Sequence, residues 1–273
     1  MKKILSIMAL VLVLMMTVTM FASCGTANEN AETSGETTNT ETTTGDELAL
    51  KGEYTTLKMG TNAAFPPYEY KEGDESVGID VEIAKAIADE LGATLEIVDM
   101  EFDSIITSVT QGEVNFGMAG MTVTDERKLE VDFTYSYATG VQSVIVAEGS
   151  DIKSIDDLSG KKIGVQLGTT GDIYATDDYG ADYVTQYGKG ADAILALKGG
   201  DIDAVIIDNE PAKAFVAENE GLTILDTDYA VEDYAIAVKK GNTDLLDDIN
   251  AALDKLTKDG TIDAIIDKFI KAE

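Results

Sequence analysis

The chain lacks two residue types altogether and has few of several others. Its 273 residues include no histidine, no tryptophan, one cysteine and three prolines. Without histidine, histidine-based catalytic triads and histidine metal sites are excluded, and no sequence motif suggests a metal or a cofactor. With Cys24 alone, no intramolecular disulfide can form. Any aromatic surface for a ligand must therefore consist of phenylalanine or tyrosine.

Positive charge is also scarce. Twenty lysine and arginine residues stand against 51 aspartate and glutamate residues, a formal net charge of −31. A phosphate backbone needs a basic protein face, so this charge argues against nucleic-acid binding. We interpret the excess acid as a solvated, self-repelling surface that favours a soluble monomer. The length is sufficient for two lobes, each with its own core.

The N-terminus contains the longest uncharged run. Two lysines precede Ile4 to Ala22, and small residues then surround Cys24. This order predicts a secretory signal over 1–23. Cys24 resembles the lipidated cysteine of a bacterial lipobox, although Phe21 stands where leucine is usual. The alternative is an uncleaved membrane anchor, since the run is just long enough to span a bilayer; both place the protein outside the cytoplasmic membrane.

Residues 24–52 form a compositionally distinct segment. Threonine, glutamate, asparagine, glycine and serine dominate it, with almost no large apolar side chain before Leu48. Such a segment buries too little surface to offset the entropy of ordering. We predict a disordered tether between the lipid anchor and the fold.

Hydrophobic periodicity begins after the tether. Isoleucine or leucine recurs every fourth residue from Ile79 to Leu91, before Gly92, which predicts an amphipathic helix. Similar patterns predict strands over 54–60, 94–98 and 114–118, a helix around 105–109, and two C-terminal helices over 244–256 and 261–270.

An internal repeat indicates the fold class. The segment 111–117 resembles 199–205, and 57–62 resembles 163–170. Two copies of a βαβαβ pattern predict an α/β protein with two similar lobes. Ligands of such sheets bind outside the carboxyl ends of the strands, which here means the cleft between the lobes.

The predicted lobes are connected twice. Crossings near 138–146 and 231–237 would form a two-strand hinge of the kind that closes around a ligand. Lobe 1 is then predicted over 53–141 and 234–273, and lobe 2 over 142–233.

The stretch NFGMAGMTVTDERK, residues 115–128, is the most informative part of lobe 1. A short predicted strand ends at Ala119 and Gly120, whose backbone groups are accessible, and Thr122 offers a hydroxyl. Arg127 is the only arginine in the chain. A guanidinium binds a carboxylate through two parallel hydrogen bonds, which lysine cannot do. The alternative is a solvated arginine at the start of a charged helix.

Lobe 2 contributes two features. The run GVQLGTTGD, residues 164–172, predicts a strand, a tight turn and a helix N-terminus, which suits a carboxylate. Asp208 follows the apolar strand 204–207 and could accept hydrogen bonds from an ammonium group. Its alternative role is an N-cap for the helix that begins near Pro211.

These motifs together resemble a known family. AGMTVTDERK followed by VDFTYSY is similar to the first-lobe motif of polar amino-acid-binding proteins of ABC importers, extracellular solute-binding family 3, and most of all to the glutamine-binding type. The resemblance runs from about Tyr54 to the C-terminus. It implies a type II periplasmic-binding-protein fold and a free amino acid as ligand.

The resemblance also implies roles for individual residues. Arg127 would bind the ligand's α-carboxylate together with Thr170, and Asp208 its α-ammonium group, while Gly120 and Thr122 would contact both groups. From sequence alone, Phe65 and Phe102 are equally well explained as core residues. The full set of implied ligand-binding residues is Asn62, Ala64, Phe65, Phe102, Ala119, Gly120, Thr122, Arg127, Gln166, Thr169, Thr170 and Asp208.

The expected function is therefore capture of an amino acid, without catalysis. The protein would be lipid-anchored on the extracellular face of the cytoplasmic membrane and would deliver its ligand to an ABC permease. Two alternatives remain at this stage. Some cyclohexadienyl dehydratases resemble this fold, and Asp172, Asp208 and Glu210 could supply acid–base groups. A sensory ectodomain is the other.

The identity of the amino acid is less clear. Basic-amino-acid binders and the glutamine type carry aspartate where this chain has Asn62, and the glutamine type has lysine and histidine in place of Gln166 and Ile207. A neutral wall compensates a buried cation poorly. We therefore expect a neutral polar or moderately apolar amino acid. Arginine or lysine would follow if Glu69, Glu101 or Asp103 reached the pocket.

Overall fold

The computed structural model describes residues 54–226 and 228–270. The predicted signal peptide, Cys24 and the predicted tether lie outside the described residues. Within the described residues, no helix is long and apolar enough to cross a membrane.

Lobe 1 contains most of the first half of the chain and its C-terminal helices. Its strands and helices, in chain order, are β1 (Thr56–Thr61), β2 (Tyr70–Glu72), β3 (Glu75–Val77), α1 (Ile79–Glu90), β4 (Thr94–Asp99), α2 (Ile105–Gln111), β5 (Phe116–Gly117) and α3 (Arg127–Glu130). The long strand β6 (Val131–Ala147) then leaves the lobe.

Lobe 2 follows the same pattern of alternating strands and helices. Its elements are β7 (Ile163–Gln166), α4 (Thr170–Tyr179), β8 (Val184–Tyr187), α5 (Gly190–Gly199), β9 (Ala204–Asp208), α6 (Asn209–Glu218) and β10 (Leu222–Ile224). Strand β11 (Ala230–Lys239) returns to lobe 1, where α7 (Thr243–Lys258) and α8 (Thr261–Phe269) end the described chain.

The two lobes share one mixed sheet. Its strand order is β4-β1-β5-β11-β6-β9-β7-β8, with β10 also paired to β6. Antiparallel β6 and β11 run through both halves: β11 pairs with β5 in lobe 1, and β6 pairs with β9 in lobe 2. The predicted lobe boundaries, at 141/142 and 233/234, fall inside these two continuous strands. No break in the chain marks them, so they stay a prediction.

The predicted amphipathic helix corresponds to α1. Ile79, Ile83 and Ile87 are fully buried in the core between this helix and the sheet. The helix ends before Gly92, which adopts a left-handed conformation with φ of 66°. A glycine is favoured there because a Cβ atom would strain that backbone.

The C-terminal helices pack back onto lobe 1, as predicted, with α7 against α1 and α8. The apolar face of α7 packs against the core of lobe 1. Leu245, Ile249 and Leu253 are buried there, and the half-buried Leu246 packs beside them. These positions are three or four residues apart, so they lie on one face of the helix.

Two features of lobe 1 differ from what the sequence pattern favours. The strand expected over 114–118 is only the two residues of β5. Asp125 and Glu126 suit the first turn of a helix, whereas α3 begins at Arg127, because Thr124 Oγ1 accepts a hydrogen bond from the Arg127 N–H group at 3.1 Å. This local bond holds the preceding residues in a turn.

Candidate ligand-binding site

The carboxyl ends of β1, β5, β7 and β9 converge on one cavity between the lobes. It is lined by Asn62, Phe65, Glu69, Phe102, Ala119, Gly120, Thr122, Arg127, Gln166, Thr169, Thr170 and Asp208. Of the twelve residues implied by the sequence, the structure brings together all but Ala64. Ala64 is half-buried beside the cavity, and its N–H group is taken by the carbonyl of Asn62 at 2.7 Å in a tight turn.

The cleft is closed in this structure. Arg127 Nη2 donates to the Gly168 carbonyl oxygen at 3.0 Å, and Gln166 Nε2 donates to Asn62 Oδ1 at 3.0 Å. Both bonds join lobe 1 to lobe 2. The open volume between them is about 10 Å³, roughly enough for a single water molecule. A ligand larger than a water molecule therefore enters only when these pairs separate.

Arg127 is held in a fixed position at one end of the cavity. It is buried, its Nη1 donates to the Thr122 carbonyl oxygen at 2.6 Å, and its guanidinium lies 5.4 Å from the ring centroid of Phe102. Burial lowers the pKa of this guanidinium, and the negative charge of Glu232 opposes that shift. An arginine remains charged under such conditions, so a buried cation faces the cavity.

The first turn of α4 lies opposite Arg127. Thr169 caps the helix by accepting from the N–H group of Asp172 at 3.3 Å, and Thr170 Oγ1 lies 3.4 Å from Thr122 Oγ1 on the other lobe. The unpaired N–H groups of such a turn, with the positive end of the helix dipole, suit an anion.

Asp172, a candidate acid–base group, has a structural role instead. Its carboxylate accepts from the Gly168 N–H group at 3.0 Å and from Gln186 Nε2 at 2.9 Å to both oxygens. These bonds stabilise the glycine turn before α4. The other candidate, Glu210, forms an ion pair with Lys213 at 2.9 Å. Neither residue lines the cavity.

Asp208 lines the cavity within a polar network. Gln142 Nε2 donates to Asp208 Oδ2 at 2.8 Å and to Glu232 Oε2 at 2.9 Å, and the Tyr234 hydroxyl donates to Asp208 Oδ1. Burial, and next the charge of Glu232, raise the pKa of Asp208 to about 8. Asp208 occupies the N-cap position of α6, but its side chain makes no capping bond. Its carboxylate is thus available to the cavity.

Gly120 brings the backbone of lobe 1 close to the cavity. Its φ is 51°, and a Cβ atom at this position would lie 2.9 Å from Phe65 Cε1. Its N–H group donates to the buried carboxylate of Asp80 at 2.8 Å. Only glycine combines this conformation with such close contact to an aromatic ring.

The remaining wall consists of amides and aromatic rings. Asn62 Nδ2 is bound to the Met100 carbonyl oxygen at 2.7 Å, which turns its Oδ1 toward Gln166. Of the three acids considered from the sequence, only Glu69 lines the cavity. Asp103 instead packs near Gly168, since a Cβ atom on that glycine would lie 3.0 Å from Asp103 Cβ.

Sequence reasoning missed Gln142, Glu232 and Tyr234. All three lie on the hinge strands β6 and β11 and are buried. The sequence offered one signal for them, since each is a polar side chain within a strand predicted to cross between the lobes. That signal does not indicate that Gln142 bonds to both Asp208 and Glu232. Among residues 54–226 and 228–270, no group of three or more histidine, cysteine or acidic residues could hold a metal ion.

Comparison with known proteins agrees with this geometry. Residues 57–272 match the family model described as bacterial extracellular solute-binding proteins, family 3. The arginine-binding extracellular protein ArtP of Bacillus subtilis (strain 168) is 35% identical over 227 residues, covering 80% of this chain and 87% of that protein. The ABC transporter glutamine-binding protein GlnH of the same strain is 33% identical over 279 residues, covering 100% and 99%.

A solved structure supports the fold directly. An ancestral arginine-binding protein bound to glutamine has a TM-score of 0.77 and 41% identity, covering 81% of this chain and all of that one. The prediction of two α/β lobes is therefore confirmed. The relatives are named as binding proteins for transport, which also confirms the expectation that the protein is not an enzyme.

Proposed function

This chain belongs to the bacterial extracellular solute-binding proteins of family 3, and we propose that it captures a free amino acid between its lobes and delivers it to an ABC permease. The observation that carries this proposal is the pair of charged groups in the cavity wall, Arg127 from lobe 1 and Asp208 from lobe 2. A zwitterionic amino acid matches these charges end for end. The amino-acid ligands named for its relatives support the same conclusion.

The α-carboxylate of the ligand would bind between the lobes at the positive end. It would replace the Gly168 carbonyl oxygen as the acceptor for Arg127 Nη2. It would also accept hydrogen bonds from the backbone N–H groups in the first turn of α4, at Thr170. A charged acceptor strengthens both interactions relative to a neutral carbonyl. The α-ammonium group would bind Asp208, with Gly120 and Thr122 contributing from lobe 1.

The ligand's side chain would extend toward Asn62 and Gln166, alongside Phe65 and Phe102. The amide oxygens there favour a side chain that donates hydrogen bonds. Glutamine fits this wall best among neutral polar amino acids. Arginine is the second candidate, because the guanidinium also donates and because ArtP is named as arginine-binding.

Location and delivery follow from the N-terminus and the family. Lipidation of Cys24 would anchor the protein at the extracellular face of the cytoplasmic membrane, with residues 24–52 as the tether. There it would meet the transmembrane subunits of the permease as a monomer. Metabolic labelling with a fatty acid tests the anchor, since Cys24→Ser should abolish incorporation if the proposal is correct.

Titration calorimetry tests the capture function. The folded part of the chain is titrated with glutamine, arginine, lysine, serine and cystine, and glutamine or arginine is expected to bind most tightly. Tightest binding of serine or cystine would refute the proposed side-chain preference. Absence of binding by all twenty amino acids would refute amino-acid capture itself.

A further inference from the structure

Two fully buried carboxyl groups lie beneath the cavity. Glu69 follows the loop that carries Phe65, and Asp80 is the second residue of α1; both are 0% exposed. Among the described residues, no conventional donor reaches either oxygen of Glu69 or Oδ1 of Asp80. Glu69 also lines the cavity, so this arrangement is part of the wall of the site.

The Asp80 N–H group donates to the carbonyl oxygen of Tyr68, the residue before Glu69, at 2.9 Å. The two carboxyl groups are then close enough to form a hydrogen bond with each other. Two carboxylates cannot form such a bond unless a proton lies between them, and two buried like charges repel strongly. Asp80 is the better place for the negative charge, because its Oδ2 accepts from the Gly120 N–H group and from the Tyr137 hydroxyl, both at 2.8 Å. Glu69 has no comparable donors, so it carries the proton.

The surroundings of Glu69 oppose its ionisation from every side. Burial raises the pKa of Glu69 well above its ordinary value, with Asp80, Asp208 and Asp99 adding negative charge. Asp99 is itself paired with Lys71 at 3.4 Å.

Two phenolic groups also surround the pair. The pKa of Tyr137 and that of Tyr68 are raised by burial first and by these acids next, so both hydroxyls stay neutral. The pKa of Asp80 is raised to about 6, because burial raises it by more than the donors from Gly120 and Tyr137 lower it. The pair as a unit therefore has a charge of −1 near neutral pH.

We propose that Glu69 and Asp80 share one proton and that this acid–carboxylate pair positions Gly120 for ligand binding. The Asp80 carboxylate accepts a hydrogen bond from the Gly120 N–H group, and the Phe65 ring packs closely against Gly120. The backbone of Glu69 in turn holds Phe65, through bonds of 2.7 and 3.1 Å in the two directions. The shared proton therefore links the Phe65 loop to the Gly120 turn, which are two parts of the cavity wall.

This inference rests on the proposed function for its effect on binding, but the shared proton itself does not. Loss of the proton at alkaline pH would leave two adjacent buried charges, which can separate only if the Phe65 loop or the Gly120 turn moves. Ligand affinity would then fall. Replacing Glu69 by glutamine preserves a neutral donor toward Asp80 and removes the group that titrates.

Infrared spectroscopy of the ligand-free protein tests the proton directly. A protonated carboxyl group has a carbonyl stretch that ionised carboxylates lack, and the band shifts in D₂O. At neutral pH, we expect the wild type to show this band in difference spectra against Glu69→Gln, and Glu75→Gln, an exposed acid on β3, to match the wild type. Identical spectra for the wild type and Glu69→Gln would overturn the shared proton whatever the ligand.

Calorimetry over a pH series tests the positioning role. At neutral pH, we expect Glu69→Ala to lose at least tenfold in affinity and Glu69→Gln to lose less, because glutamine still donates toward Asp80. Titration of the ligand's own amino group affects the wild type and the variants equally. The affinity of the wild type divided by that of Glu69→Gln therefore reports only the loss of the shared proton. We expect this ratio to fall at alkaline pH. A constant ratio, or equal losses for glutamine and alanine, would overturn the positioning role; if Glu69→Ala does not fold, the ratio alone decides.

Discussion

Arg127 Nη2 and the carbonyl oxygen of Gly168 lie 3.0 Å apart across the cleft. The first belongs to lobe 1 and the second to the turn before α4 in lobe 2, so one hydrogen bond joins the lobes at the positive end of the cavity. A ligand carboxylate would compete for this donor. Under the proposed function, closure of the cleft and recognition of the α-carboxylate would therefore depend on the same side chain.

We expect Arg127→Lys to nearly abolish amino-acid binding while the protein still folds. A lysine cannot form two parallel hydrogen bonds, and loss of one partner of a desolvated charged pair costs about 2–5 kcal/mol of binding free energy. Titration calorimetry with the preferred amino acid measures the loss. Lys128→Gln is the matched control, because Lys128 is exposed and forms its ion pair with the exposed Asp125 nearby. Unchanged affinity in Arg127→Lys would show that Arg127 does not hold the carboxylate.

Asp208→Asn should weaken binding at least about tenfold, or some 1.4 kcal/mol. The replacement preserves size but removes the counter-charge of the ammonium group. An N-cap role would predict no effect, since asparagine caps equally well. Calorimetry at pH 7 distinguishes the two roles, and an affinity within a factor of two of the wild type would reject the ammonium role.

The same substitution should change how stability depends on pH. The pKa of Asp208 rises from 3.8 to about 8 on folding, so the folded state holds this proton more strongly than the unfolded state. That stabilisation is present below pH 4 and is lost as pH rises through about 8. The melting temperature of ligand-free Asp208→Asn should therefore increase relative to the wild type over this range. A difference that stays constant with pH would contradict the raised pKa.

Ligand capture should release protons near neutral pH. In the ligand-free protein Asp208 holds a proton below about pH 8, and an ammonium group would displace it, at roughly one proton per ligand. Calorimetry in buffers of different ionisation enthalpy measures this number. Asp208→Asn serves as the comparison and should release fewer protons if it still binds. Equal heats in all buffers for the wild type would show that Asp208 is already ionised.

Gly140→Ala should destabilise the hinge. A Cβ atom at this position in β6 would lie 2.2 Å from Cζ and Oη of Tyr234. Overpacking of this kind costs about 1–3 kcal/mol, and it would also move the tyrosine hydroxyl away from Asp208. Thermal denaturation measures the first effect and calorimetry the second.

Gly199→Ala in α5 is the matched control for that substitution. Its nearest contact would be Asp201 Oδ2 at 3.6 Å, and alanine favours a helix over glycine by about 1 kcal/mol. We expect it to be neutral or stabilising. Equal effects of the two substitutions would show that contact with Tyr234 is unimportant.

The sequence by itself determined the elements and the general location of the site. Helix α1 was predicted from isoleucines four residues apart, and the lobes from two internal repeats, because these signals lie within short stretches of neighbouring residues. Arg127 was singled out by being the only arginine. Ligands of α/β sheets bind beyond the carboxyl ends of the strands, which predicted the cleft between the lobes. The resemblance to the amino-acid-binding family implied most of the residues that line it.

Only the tertiary structure decided the electrostatics of the cavity. Gln142 meets Asp208 and Glu232, which are 66 and 90 positions away in the chain, and Glu69 meets Asp80. No local pattern indicates such contacts, because each depends on where two distant strands or helices cross. Whether a carboxyl group carries charge or a proton depends on burial and on the groups around it. That property of Asp208, Asp80 and Glu69 belongs to the folded chain alone.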